Sequence, residues 1–119
     1  MKIAFPTEGH RKLNDRVATT FSRAPTFTIV TIEDGKAQNS IVIDNQAASH
    51  EQGAGPLAVS TLKDHGVTVL IAGDVGPGAA TILEALGIKV YSTEAGKKVK
   101  NVLTEWLDQT DFTVDGEKK

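Results

Sequence analysis

The sequence predicts an α/β fold: one three-layer α/β/α domain around a five-stranded mixed sheet with one antiparallel strand. Three observations predict it. The stretch Val67 to Tyr91, VTVLIAGDVGPGAATILEALGIKVY, reads as a short buried strand, a glycine-rich turn, an amphipathic helix and another strand. That is a βαβ unit with parallel strands. Upstream, two strand-like segments flank Asp34-Gly35, a strong hairpin turn signal. The element order β, β-hairpin, α, β, α, β, α, in a chain of 119 residues, then suits a single core with helices on both faces of the sheet.

Each element has its own signal. Lys2 to Phe5 is a short first strand, with Pro6 expected to end it. Thr7 to Pro25 reads as a long polar loop, and a loop of that length in a compact domain is often functional. Thr26 to Glu33 (TFTIVTIE) is strand-like, offering Phe27, Ile29 and either Val30 or Ile32 to a core. Lys36 to Asp44 is its hairpin partner. Asn45 to Gly55 is a second polar loop. Pro56 suits the first position of a helix, which Leu57, Ala58, Val59 and Leu62 continue until Gly66 stops it. The second helix places Ala79, Ile82, Leu83 and Leu86 on one face and ends at Gly87. The third spans Gly96 to Asp108, with an apolar stripe at Val99, Val102, Leu103 and Trp106. The expected domain is 1–108. Residues 109–119 form a polar tail, in which Phe112-Thr113-Val114 could add an edge contact.

Composition narrows the function classes. With 39% apolar and 24% charged residues, the chain reads as soluble and globular, and no run is long enough to span a membrane. Its start lacks the apolar region and cleavage site of a signal peptide, so the expected location is cytoplasmic. A formal net charge of −2 argues against a general nucleic-acid binder. The absence of cysteine removes disulfides, thiolate ligands and thiol nucleophiles.

If the first, fourth and fifth strands are parallel, the loops that follow them leave one edge of the sheet. The first loop brings His10, Thr20, Ser22 and Arg23. The second brings Asn45, His50, Gly53 and Gly55, and the third Gly73, Asp74, Gly76 and Gly78. Arginine, histidine and backbone N–H groups at helix N-termini suit an anion or a metal cluster; His50 and His10 are the candidate metal ligands. Plainer roles stand beside these. The glycines also serve tight turns and helix–sheet packing, Arg23 could pin the long loop, and His50 could be a surface residue. His65 is read as a structural residue at a helix C-terminus, and Lys97, Lys98 and Lys100 as a solvated helix face.

Several motifs are missing. Gly73 to Gly78 has P-loop spacing, but Ala79-Ala80 follows where Lys and Ser or Thr are required. There is no dinucleotide fingerprint in the first βα turn and no nucleophile elbow. Three widely spaced histidines do not make a zinc site. The first strand offers no carboxylate for a metal-dependent nuclease. Nothing names a nucleophile or a base.

Four segments, in order, carry a resemblance. They are Met1-Lys2-Ile3-Ala4 with Pro6 and Gly9; Val17 to Phe27; Asn45 with His50 and Gly53-Ala54-Gly55; and Gly66-Val67 through Gly73 to Ala79, then Gly87 to Tyr91. Over residues 1–108 the chain resembles the dinitrogenase iron–molybdenum cofactor-binding family. The resemblance implies a ribonuclease H-like architecture and a non-catalytic module that binds or carries an iron–sulfur or iron–molybdenum cluster. It also implies cofactor-assembly proteins as partners, with neither nucleic acid nor membrane. Thr20 stands where the family often has His, and Ser22 where it often has Gly, so one nitrogen donor is lost. Without cysteine, a cluster would be held by imidazole, Arg23 and backbone N–H groups, which suits transient carriage. Two alternatives stand beside the carrier. One is a small-molecule enzyme or sensor taking a phosphate or nucleotide in the glycine loops. The other is an adaptor whose pocket is vestigial.

Overall fold

A computed structural model describes residues 1–50 and 52–109. The five strands are β1 (Lys2–Thr7), β2 (Thr26–Glu33), β3 (Lys36–Asp44), β4 (Val69–Ala72) and β5 (Lys89–Ser92), and the helices are α1 (Ala54–Asp64), α2 (Pro77–Ala85) and α3 (Val99–Gln109). They form one mixed sheet in the order β3-β2-β1-β4-β5. β1, β4 and β5 are parallel, while β2 runs antiparallel to both β1 and β3. Asp34 and Gly35 take φ of 55° and 74°, the left-handed pair of a two-residue hairpin whose twist matches its strands.

The central strands alternate between two cores, which explains their nearly continuous apolar runs. Ala4, Phe27, Ile29, Leu70 and Ala72 pack with Ala58, Val59 and Leu62 of α1 and Leu83 of α2. Ile3, Phe5, Val30, Ile32, Val69 and Ile71 pack with Val99, Val102, Leu103 and Trp106 of α3. The layers are therefore α/β/α. No described helix is long and apolar enough to cross a membrane.

Several sequence expectations need correction. β1 does not end at Pro6; it runs to Thr7, with Pro6 opposite Phe27. The Pro6 carbonyl accepts from the Ala18 N–H at 2.8 Å. Because the N–H and C=O of one strand residue point the same way, the missing donor faces away from β2 and the ladder loses nothing. Val30 and Ile32 are both buried, because helices cover both sides of β2. α1 begins two residues before Pro56, which still lies in the first turn where a missing N–H is harmless. Leu86 caps α2 and is 39% exposed, so the buried face of that helix centres on Leu83. α3 starts at Val99, since Gly96 to Lys98 instead pair with the first loop. β5 is an exposed edge. Phe112-Thr113-Val114 lies outside the described residues.

The largest departure is the segment between β1 and β2, which is no open polar loop. Val17, Ala18, Phe21 and Ala24 are buried. Phe21 packs on Phe27 with ring centroids 5.4 Å apart. Isolated bridges join Thr7 to Val17, Arg16 to Lys98 and Thr20 to Asp74. Asp15 is fully buried and organises the turn: its carboxylate accepts from the backbone N–H groups of Arg11 (3.1 Å) and Arg16 (2.8 Å) and from the Arg11 guanidinium (3.3 Å).

Burial alone would raise the Asp15 carboxyl, but the two backbone donors and the Arg11 charge outweigh it and hold it below 3.8. A folded-state value below the unfolded one gives stability that is present above the unfolded value. That stability is lost as pH falls through the folded value. Asp15→Asn puts an amide against two N–H donors, with an expected cost of roughly 1–3 kcal/mol at neutral pH. Urea midpoints measured across pH check this: the gap between wild type and variant should narrow as pH drops below about 4. A gap constant with pH would show that the Asp15 charge plays no part.

Candidate functional site

The parallel strands do direct their following loops to one edge of the sheet. β3 runs in the same sense, so the Asn45–Gly53 loop emerges there too. The three expected loops therefore meet at the C-terminal ends of β1, β3 and β4, beside the N-termini of α1 and α2. Such an edge of an α/β sheet is where ligands generally bind.

Their side chains differ in what they can do. Asn45 is buried and both ends of its amide are engaged. It donates to the carbonyls of Ser22 (3.0 Å) and Ala24 (2.8 Å) and accepts from the Ala47 N–H (3.1 Å). It thus clamps the first loop to the second. Arg23 adds a second clamp, donating from Nη1 to the carbonyls of Ala48 (3.3 Å) and His50. Thr20 is half-buried and bridges in parallel to Asp74, whose carbonyl accepts from the Phe21 N–H at 3.0 Å. Ser22 is half-buried, while the side chains of Asp74 and His50 lie in exposed positions. His10 pairs instead with Asp44 at the end of β3: Nε2 lies 2.7 Å from Oδ1, and both side chains are exposed. Among the described residues no three His, Cys, Asp or Glu side chains come together as a metal site.

The glycines divide into two kinds. A Cβ on Gly55 would lie 3.7 Å from the Ala79 Cβ, and one on Gly73 would lie 3.5 Å from the Thr19 carbonyl and 3.6 Å from that of Thr93. These two permit close packing, of α1 on α2 and of β4 between its flanking loops. Gly53, Gly76 and Gly78 have open space where a side chain would be. Gly53 leads into α1, and its carbonyl accepts from Leu57. Gly76 leads into α2 with φ 64° and ψ 149°, a conformation essentially restricted to glycine. The first-turn N–H groups of Gly78 and Ala79 have no partner inside the helix, and among the described residues no side chain caps it. The α2 N-terminus is thus a bare, positive-ended donor surface with both flanking glycines exposed.

Sequence reasoning missed the structural residues that hold this edge. Asp15 and the hydroxyl cluster of Thr7, Thr26 and Thr28 are all buried. Thr7 Oγ1 lies 2.6 Å from Thr26 Oγ1 and 3.0 Å from Thr28 Oγ1, and the Thr26 hydroxyl also donates to the Gly9 carbonyl at 2.6 Å. Alternating threonines at 26 and 28 were the available signal. Their partner on β1 was hidden because Pro6 suggested that the strand had ended.

This arrangement defines a small α/β domain with a glycine-rich, donor-bearing loop edge. The chain belongs to the dinitrogenase iron-molybdenum cofactor family, whose model matches residues 1–109. It is 36% identical over 91 residues to an uncharacterised protein of Methanocaldococcus jannaschii, covering 76% of this chain and 73% of that one. The apo orange protein from Desulfovibrio gigas has a similar structure, with TM-score 0.80 and 34% identity over 90% of this chain and 87% of that one. A NifB-like protein from Thermotoga gives TM-score 0.74 and 35% identity over 97% and 98% of the two chains.

The two kinds of glycine make a paired test. Gly76→Ala forces a side chain into a glycine-only conformation and should cost about 1–3 kcal/mol. Gly78→Ala, in open space within a helix, should be neutral or stabilise by up to about 1 kcal/mol. Thermal denaturation of the two variants distinguishes them; equal effects would refute the division.

Proposed function

We propose that this protein is a non-catalytic binding or carrier module for an anionic iron–sulfur or molybdenum-type cluster, taken up as cargo at the loop edge. One observation carries the reading. In a chain of the cofactor family, Asn45, Arg23 and the Thr20–Asp74 bridge clamp three loops together beside the uncapped N-terminus of α2. The donor set fits an anion recognised by hydrogen bonds and helix-end charge. It does not fit a cluster bonded to protein thiolates, because the chain has no cysteine. His50 is the imidazole available to such a cargo, whereas His10 is engaged by Asp44. Binding of this kind is weak and reversible, as a carrier requires.

The same reading takes residues 1–108 as one ribonuclease H-like domain, supported by the strand order, and places the protein in the cytoplasm with cofactor-assembly proteins as partners. Anaerobic incubation with iron, sulfide and molybdate, followed by desalting, metal analysis and visible absorbance, tests it. Wild type should retain metal and colour, and an Arg23→Ala/His50→Ala variant should lose most of both. Equal retention by the two would refute these residues as the site, and no retention by wild type would refute the carrier reading.

One observation favours a second reading. Exposed glycine N–H groups at a helix N-terminus accept phosphate as readily as a metal–sulfur anion, which would make the protein a sensor or enzyme for a phosphorylated metabolite. A thermal-shift screen of nucleotides and sugar phosphates separates the two. A true ligand at about 100 times its Kd adds roughly 2.7 kcal/mol, and a flat screen removes this reading.

A further inference from the structure

The chain has 13 Lys and Arg side chains and a net charge of −2, yet its cations are unevenly placed. Arg11, Lys12, Arg16, Lys97, Lys98 and Lys100 come from two segments some 80 residues apart that the fold joins. Arg16 bridges to Lys98, and its guanidinium donates to the Gly96 carbonyl at 2.7 Å. The Val17 N–H donates to the Lys97 carbonyl (2.9 Å) and the Val99 N–H to the Asp15 carbonyl (2.9 Å). Arg16, Lys97, Lys98, Lys100 and Asn101 line one shallow groove with Glu105, and the turn bearing Lys12 packs on α3.

Two of the six are compensated. Arg11 pairs with buried Asp15, and Lys97 lies 3.8 Å from Glu94 and 3.7 Å from Glu105. Among the described residues, Lys12, Arg16, Lys98 and Lys100 have no carboxylate partner. The positive end of α3 adds to their field. Glu8 meets Arg16 through the backbone, its N–H donating to the Arg16 carbonyl at 3.2 Å.

We infer that this basic face, built from the first loop and the start of α3, is a docking surface for the acidic face of a partner protein. The chemistry selects that partner. Lys12 and Lys100 are exposed and carry hydrated point charges on long stems, suited to steering and transient contact rather than to enclosing a small anion. Among the described residues no aromatic side chain lines the groove to stack on bases, and the chain's overall negative charge opposes a long polyanion. The inference goes beyond the carrier reading and does not rest on it.

The test is an NMR titration of the isotope-labelled protein with poly-L-glutamate, chosen as the probe for a carboxylate-bearing protein surface. Amide shifts are expected at residues 11–16 and 96–101, with Gly76 to Ala79 unmoved. Affinity should fall at least tenfold between about 20 and about 150 mM salt. Lys12→Glu/Lys98→Glu/Lys100→Glu should weaken binding at least tenfold. A Lys→Gln triple at the same positions does so without introducing repulsion, and thermal melts confirm folding of both. Lys36→Glu/Lys63→Glu, elsewhere on the surface, should bind as wild type does. No binding at low salt, shifts centred on Gly76 to Ala79, or tighter binding to duplex DNA or phosphatidylserine vesicles than to poly-L-glutamate would each overturn the inference.

Discussion

Everything at the loop edge depends on how the chain crosses it between β1 and β2. Residues 8–25 leave a buried central strand and must return to another. Their backbone pairs with Asp74 before α2 and with Lys97 and Lys98 before α3, and its remaining buried polar groups need partners. Two buried side chains meet much of that need. Asp15 collects two backbone N–H groups and a guanidinium, and Asn45 collects two carbonyls and an N–H. A buried polar group left unpaired costs roughly 1–3 kcal/mol, a large part of the stability of a domain this size. Phe21, pressed against Phe27, adds the apolar anchor that makes the crossing a packed strap rather than a loop.

The strap explains which parts of the fold were legible in the sequence. The hairpin was, because Asp34-Gly35 states its own turn geometry. The βαβ unit was, because β4 and Gly66 and Gly87 punctuate it cleanly. The strap was not, because its partners are far away in sequence: Asn45 lies some 20 residues from the carbonyls it holds, and Lys98 some 80 from Arg16. A polar composition there looks like solvent exposure, whereas the polar groups of Asp15 and Asn45 are turned inward. Pro6 misled for a related reason. Whether a proline ends a strand depends on which side its missing N–H would face, and that is fixed by the neighbouring strands.

The candidate site was legible in part. The three loops were placed on one edge, and they meet there. Their roles were harder to separate, since a glycine needed for packing and a glycine left open for a ligand are the same letter. Gly55 and Gly73 approach other atoms within ordinary contact distance, while Gly76 and Gly78 approach none. Asn45 and Arg23 look alike as polar loop residues, yet both spend hydrogen bonds on carbonyls of the protein itself. Their effect on a ligand is first to fix the loops that would meet it.

That division bears on what kind of binding the edge can support. Loops clamped to one another by Asn45, Arg23 and the Thr20–Asp74 bridge present backbone N–H groups at the start of α2, and each clamp lowers the ordering cost of binding there. They do not offer the covalent ligands that would make binding permanent. The basic face is built on the same strap, where Arg16 meets Lys98 at the start of α3. One strap therefore serves both surfaces: Arg16 and Val17 pair with Lys98 and Lys97 at the start of α3, and Thr20 and Phe21 pair with Asp74 in the glycine turn before α2. A change in the strap would be felt by the open glycine edge and by the charged groove together, through the same backbone. The proposed cargo edge and the proposed docking face thus share one strap of backbone, whose pairs with Asp74 and with Lys98 fix where each surface is presented.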